Sequence, residues 1–124
     1  MYSRHKNSQA FGAQQEQLAA SYLQARGLVL LQSNFRCRVG EIDLIMRDDR
    51  VLVFIEVRYR RNKGFGTSVE TVDRRKQQKL RRCARFFLAT HGLTEQLVCR
   101  FDIIGLTAAP GQEIEFNWIP NAFH

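Results

Sequence analysis

Two strand-like runs, residues 41–47 and 51–59, separated by a pair of aspartates, constrain this chain more than any other feature. The two-residue period of a strand places Ile42, Leu44, Met46, Val53, Ile55 and Val57 on one side and Glu41, Asp43, Phe54, Glu56 and Arg58 on the other. The first set is wholly apolar. A slip of one residue would push charges into the core, so the pattern specifies an antiparallel hairpin and its register together. With Asp48 and Asp49 as the turn residues, Asp43 lies opposite Phe54.

The remaining elements arrange themselves around this hairpin. Ser8 is expected to cap a helix over residues 9–25, leaving 1–8 as a flexible N-terminus, with Phe11, Leu18, Ala19, Tyr22 and Leu23 as its apolar stripe and Gly27 as its stop. The run 28–32, the Ser33-Asn34 pair and the polar segment 35–38 together predict an edge strand leading into Gly40. Residues 60–68, with Gly64 and Gly66, read as a loop. Residues 72–90 read as an amphipathic helix on Leu80, Cys83, Ala84, Phe87 and Leu88, ended by Gly92. Strands follow at 98–106 and 113–119, joined through Ala109-Pro110-Gly111. Helix, strands, helix, strands is the order of an α/β chain with a mixed sheet between helices, and 124 residues suit one domain, here 9–124.

No run approaches the ~18–20 apolar residues of a membrane span, and the first residues lack the apolar segment of a secretory signal, so a cytoplasmic protein is expected. Cys37, Cys83 and Cys99 are odd in number and widely spaced, which predicts reduced thiols rather than a disulfide framework or a zinc site. The three histidines lie far apart and support no metal site or triad.

Charge is unevenly spread. Between Arg58 and Arg85 eleven basic residues stand against two acidic ones, Glu70 and Asp73, although the whole chain carries only +7. The cations are Arg58, Arg60, Arg61, Lys63, Arg74, Arg75, Lys76, Lys79, Arg81, Arg82 and Arg85. Such segregation fits a face that binds nucleic acid, where each neutralised phosphate releases counterions. A solvated basic helix face is the plainer alternative.

Glu41, Asp43 and Glu56 are three acids on one hairpin, and like charges at close range repel. A divalent cation with hard oxygen ligands resolves that conflict. Pairing with Arg58 or Arg36 on a solvated face is the other reading.

The segments Gly40-Glu41-Ile42-Asp43-Leu44-Ile45, Phe54-Ile55-Glu56-Val57-Arg58-Tyr59-Arg60 and Arg100-Phe101-Asp102 closely resemble the YraN family of small bacterial proteins, themselves similar to Holliday-junction resolvases and restriction endonucleases. The similarity covers nearly the whole chain. The family's helix pattern Gly-x-x-Gly-Glu-x-x-Ala is present as Gly12, Gln15, Glu16 and Ala19, without the second glycine, and Lys76 matches a lysine at the start of the second helix. The resemblance implies a restriction-endonuclease-like three-layer α/β/α fold with a mixed central sheet. It further implies a magnesium- or manganese-dependent nuclease site in which Asp43, Glu56 and the Val57 carbonyl hold the metal and Glu16 contributes from the first helix. Arg58 is the departure, standing where many relatives carry lysine; an arginine stays protonated and cannot act as a general base, though its planar fork suits a phosphate. Asp102 is expected to accept hydrogen bonds rather than bind metal, Trp118 to sit in the core, and Tyr22, Tyr59 and Phe65 to pack rather than stack on bases.

The leading functional expectation is therefore a DNA endonuclease acting at branched or repair intermediates, with Glu16, Asp43, Glu56 and Arg58 as its catalytic set. A homodimer is suggested by analogy with resolvases. Two alternatives stay open: a catalytically silent nucleic-acid-binding module, and an assembly adaptor.

Overall fold

In a computed structural model, which describes residues 4–60, 72–93 and 97–124 and side chains from residue 10 onward, the elements run α1 (Arg4–Gln24), β1 (Val29–Cys37), β2 (Gly40–Asp48), β3 (Val51–Arg60), α2 (Arg74–Thr90), β4 (Cys99–Thr107) and β5 (Glu115–Phe123). The five strands form one mixed sheet in sequence order. Only β3 and β4 are parallel, and α2 lies between them in sequence as the crossover that parallel pairing demands. The expected three-layer α/β/α architecture is present, with a separate core on each side of the sheet.

On one side α1 buries Ala19, Ala20 and Leu23, together with Leu28, against Leu44, Met46, Val53, Ile55, Ile104 and Leu106. On the other side α2 buries Leu80, Cys83, Ala84 and Phe87 against Ile42, Ile45, Leu52, Phe54 and Ile103. The alternation along β2 and β3 thus feeds two cores instead of one core and one wet face, because both faces of a crossover-built sheet are covered. Asp73 caps α2, its carboxylate accepting the Lys76 N–H at 2.9 Å, which satisfies one donor of the helix's first turn.

Several expectations are corrected. α1 begins at Arg4, so Ser8 lies within the helix and not at its N-cap position; the segment between Arg4 and Ser8 holds no glycine or proline to stop it. Phe11 and Leu18 lie off the buried stripe and are exposed. The hairpin turn is Asp49-Arg50, not Asp48-Asp49, because Asp48 pairs with Val51 and Asp49 takes the positive φ (54°) that aspartate tolerates. That moves Phe54 opposite Ile45. β1 lies at one edge of the sheet, as expected, with a bulge at Leu31.

Candidate active site

The β2–β3 ladder runs from Asp48 and Val51 to Leu44 and Ile55, and there it stops. Beyond that pair the Asp43 carboxylate accepts the Val57 N–H at 2.8 Å, so a side chain takes the place of a strand carbonyl. β2 stays with β1 down to Gly40 and Cys37, and between the pairs Ser33–Leu44 and Phe35–Ile42 Asn34 adopts a positive φ of 53°. The strands change phase at that point. Ile42 consequently joins Phe35 and Ile45 in the α2-side core, instead of Leu44 and Met46 as strict alternation predicts.

Into the opening between the strands come carboxylates from three elements. Glu16 of α1 and Asn34 of β1 wall one groove, and the Asp43 charge acts on both Glu16 and Glu56 of β3. Asp43 is thus the centre of the cluster, and Glu41 adds its negative charge to Glu16 and Asp43. Burial, then the Asp43 charge, push Glu16 up to about 7. Glu56, only 6% exposed, is pushed to about 7 by burial and then by Asp43. Burial also raises Asp43, although the Val57 N–H pulls the other way.

Two cations approach the cluster from the α2 side. Arg58 Nη2 lies 3.1 Å and Lys76 Nζ 3.5 Å from the same Glu56 oxygen, Oε2. Lys76 stands in the first turn of α2, at the positive end of the helix dipole. These charges lower the Glu56 proton affinity but do not outweigh burial and Asp43. Excess negative charge is the defining property of the cluster.

Among the described residues no three His, Cys, Asp or Glu side chains enclose a common point as a ready cage for a metal ion. Magnesium does not require such a cage, since it is usually held by one or two carboxylates and keeps waters or phosphate oxygens elsewhere. The donor chemistry fits it. Asp43 and Glu56 are neighbouring hard-oxygen donors whose pKa values are raised by burial first and by nearby carboxylates next. A groove between α1 and β1, walled by Glu16, Gln17, Ala20, Ser33 and Asn34, opens beside the far end of the carboxylate cluster.

The structure thus gathers Glu16, Asp43, Glu56, Arg58 and Lys76 in one place, with Val57 joined to them through its N–H. Arg60 ends β3 and is half-buried, while Arg61, Lys63 and Phe65 fall outside the described residues. Arg74, Arg75, Lys79, Arg82 and Arg85 are exposed along α2, as expected of a basic face. Arg81 departs from that set. Its Nε donates to the His124 carbonyl and its guanidinium lies 5.5 Å from the centre of the Phe123 ring, so it fastens the C-terminus to α2. Asp102 does accept hydrogen bonds, from Arg100, from Trp118 Nε1 at 2.9 Å and from the Asn121 N–H at 2.8 Å. Trp118 packs half-buried against the α1-side core. Tyr22 stacks on Phe116 and Tyr59 meets Phe11 edge to face, which are packing roles. The residue missed in the sequence is Asn34, which was read only as part of the edge strand; asparagine's tolerance of left-handed φ was the available signal.

Residues 15–106 match the model of the family described as "Uncharacterised protein family UPF0102". The chain is 50% identical over 116 residues to a UPF0102 protein of Stutzerimonas stutzeri, covering 94% of this chain and 96% of that one. It is 48% identical over 112 residues to a UPF0102 protein of Nitrosococcus oceani, with 90% of each chain covered. A UPF0102 protein of Pseudomonas syringae is 44% identical over 115 residues, covering 93% of this chain and 94% of that one. No helix among the described residues is long and apolar enough to cross a membrane.

Proposed function

Because the chain belongs to the UPF0102 (YraN) family, whose description names no chemistry, we propose from its own geometry that it is a nucleic-acid-binding, magnesium-dependent endonuclease acting on DNA phosphodiesters. The observation that carries this reading is the carboxylate cluster of Glu16, Asp43 and Glu56, set where β2 and β3 part and bordered by Lys76 and Arg58. An acidic site at the end of a strongly basic helix attracts the phosphate backbone through the helix and reserves the acids for a metal.

In this reading Asp43, Glu56 and the Val57 carbonyl would hold a magnesium ion, which would supply charge neutralisation at the phosphate and activation of water. Asp43 is oriented by the Val57 N–H, so its free oxygen keeps a fixed direction. Glu16, on the groove wall beside Asn34 and with a pKa near neutrality, is the carboxylate placed to take a proton from the attacking water. Arg58 and Lys76 both reach Glu56 in the absence of substrate, and either fits the scissile phosphate when it arrives. Lys76 thereby supplies from α2 the flexible ammonium that Arg58 displaces from β3. Exposed Arg74, Arg75, Lys79, Arg82 and Arg85 hold the flanking backbone. A preference for branched or repair intermediates is the finer part of the proposal, and it rests on resemblance to resolvases.

The test is cleavage of labelled single-stranded, duplex, flap and four-way-junction DNA with magnesium, manganese or EDTA, comparing wild type with Asp43→Asn and Glu56→Gln. Metal-dependent cleavage lost in both variants supports the nuclease. One observation favours a second reading, a silent binding module: the Arg58–Glu56 pair at 3.1 Å partly neutralises the site without any metal. Salt-sensitive binding with no cleavage of any substrate selects it.

A further inference from the structure

The sulfurs of Cys37 and Cys83 are 3.0 Å apart as free thiols. Cys37 is the last residue of β1, half-exposed beside the turn into β2, and Cys83 is on the inward face of α2 with no exposure. Forty-six positions separate them in sequence, so only the fold brings them together. Gly40, the residue paired with Cys37, borders the same sulfur: a Cβ there would lie 3.6 Å from Cys83 Sγ, an ordinary contact. Both cysteines pack in the α2-side core, Cys83 within it and Cys37 at its margin. Packing alone does not require the two sulfurs to face each other. Cys99 is the internal contrast: it is half-buried on β4, and its thiol donates to the Leu97 carbonyl at 3.6 Å.

We propose that Cys37 and Cys83 are an oxidisable dithiol that closes reversibly into an intramolecular disulfide, fastening the β1–β2 turn to α2. Closure needs about 1 Å of approach, to the ~2.05 Å of a sulfur–sulfur bond. The oxidant is a hydroperoxide. The accessible Cys37 sulfur attacks the peroxide, the O–O bond breaks, and Cys37 becomes a sulfenic acid as one water (or alcohol) leaves. The Cys83 sulfur then displaces hydroxide from the Cys37 sulfur, and the Cys83 proton departs with it as water. Two thiols are oxidised and one peroxide is reduced. The order follows from access, and also from burial, which pushes the Cys83 thiol up to about 12 and makes it a poor first nucleophile. Cys83 lies two helical turns beyond Lys76, and Gly40 directly precedes Glu41 of the acidic strand. The bond therefore fixes the two elements that deliver Lys76 and Asp43. The inference does not depend on what those residues do.

The experiment treats the folded, full chain with hydrogen peroxide, alkylates the remaining thiols under denaturing conditions and maps the peptides by mass spectrometry, with and without dithiothreitol. A Cys37–Cys83 linked peptide with Cys99 alkylated is the expected result, together with a melting midpoint raised by ~5–15 °C and returned by dithiothreitol. Cys37→Ser, a change outside the buried core, removes both the link and the shift. Sulfinic acid at Cys37 with Cys83 still alkylated overturns the proposal. So does a link that involves Cys99 or joins two molecules, or an unaltered pair at peroxide levels that oxidise an unstructured thiol peptide.

Discussion

Asp102 and Asp43 are buried or half-buried aspartates on strands of one sheet, and their surroundings are opposite. Asp102, at 0% exposure, is met by donors: the Arg100 guanidinium, the Trp118 indole and the Asn121 N–H. These contacts hold the irregularity between β4 and β5, where the register shifts between Phe101 and Ile103 and Asn121 takes a φ of 52°. Asp43 has one backbone donor and one cation, Lys76, acting on it, and is otherwise set among Glu16, Glu41 and Glu56. A buried carboxylate with a full set of donors stabilises the fold, whereas one surrounded by carboxylates costs stability and is poised for a cation or a proton. Burial by itself does not separate the two roles; the sign of the neighbouring charge does.

The sharpest way to break this comparison is to neutralise the acids one cluster at a time. In the acidic cluster, Asp43→Asn and Glu56→Gln should each lower metal-dependent cleavage by roughly 10³-fold or more while leaving the urea midpoint unchanged or higher. Equal loss of folding and activity would make this cluster structural too. At the other site Asp102→Ala strands the Trp118 and Asn121 donors and leaves half-buried Arg100 with Asp48 alone, and should destabilise the protein by about 2–4 kcal/mol in urea titration. A loss below ~1 kcal/mol would show that Asp102 is not the anchor described.

A subtler distinction is in pH. Glu16 and Glu56 are raised from 4.5 to about 7 in the fold, so the native state binds more protons than the unfolded chain between those values. Stability without metal should therefore fall as pH rises from about 4.5 to about 7. For Glu56 the drop between pH 5 and pH 8 is on the order of 2 kcal/mol. Glu56→Gln removes its share, and added magnesium flattens the curve; a profile that is flat without metal and unaltered by Glu56→Gln contradicts the charge crowding. The smallest expected effect belongs to the basic face. Arg82→Glu should weaken DNA binding and reduce the slope of log affinity against log salt by about 1, measured by fluorescence anisotropy. Arg81→Glu additionally disturbs the C-terminal contact with His124, so its effect on binding comes with a loss of stability.

Much of this was legible in the chain. The apolar alternation of residues 42–57 predicted the hairpin and α2's spacing predicted its buried face, because period and burial are local properties of a sequence once a core exists. Resemblance pointed to Glu16, Asp43 and Glu56, though not to their burial or to the effect of the Asp43 charge on the other two. The turn was misplaced by one residue, since Asp48, Asp49 and Arg50 are all acceptable turn residues and only the pairing of Asp48 with Val51 decides among them. Ile42 was assigned to the wrong core because the phase change opposite Asn34 is produced by three strands adjusting to one another. Lys76 was known as a cation, but its reach to Glu56 depends on where α2 packs.

By itself, then, the sequence determined the α/β order, the apolar faces and the basic segment, each of which follows from side-chain type repeated at a helical or strand period. The tertiary structure decided which charges meet. Glu16 and Asp43, Glu56 and Lys76, and the sulfurs of Cys37 and Cys83 come from separate elements, and their distances are set by layer packing that no local period encodes.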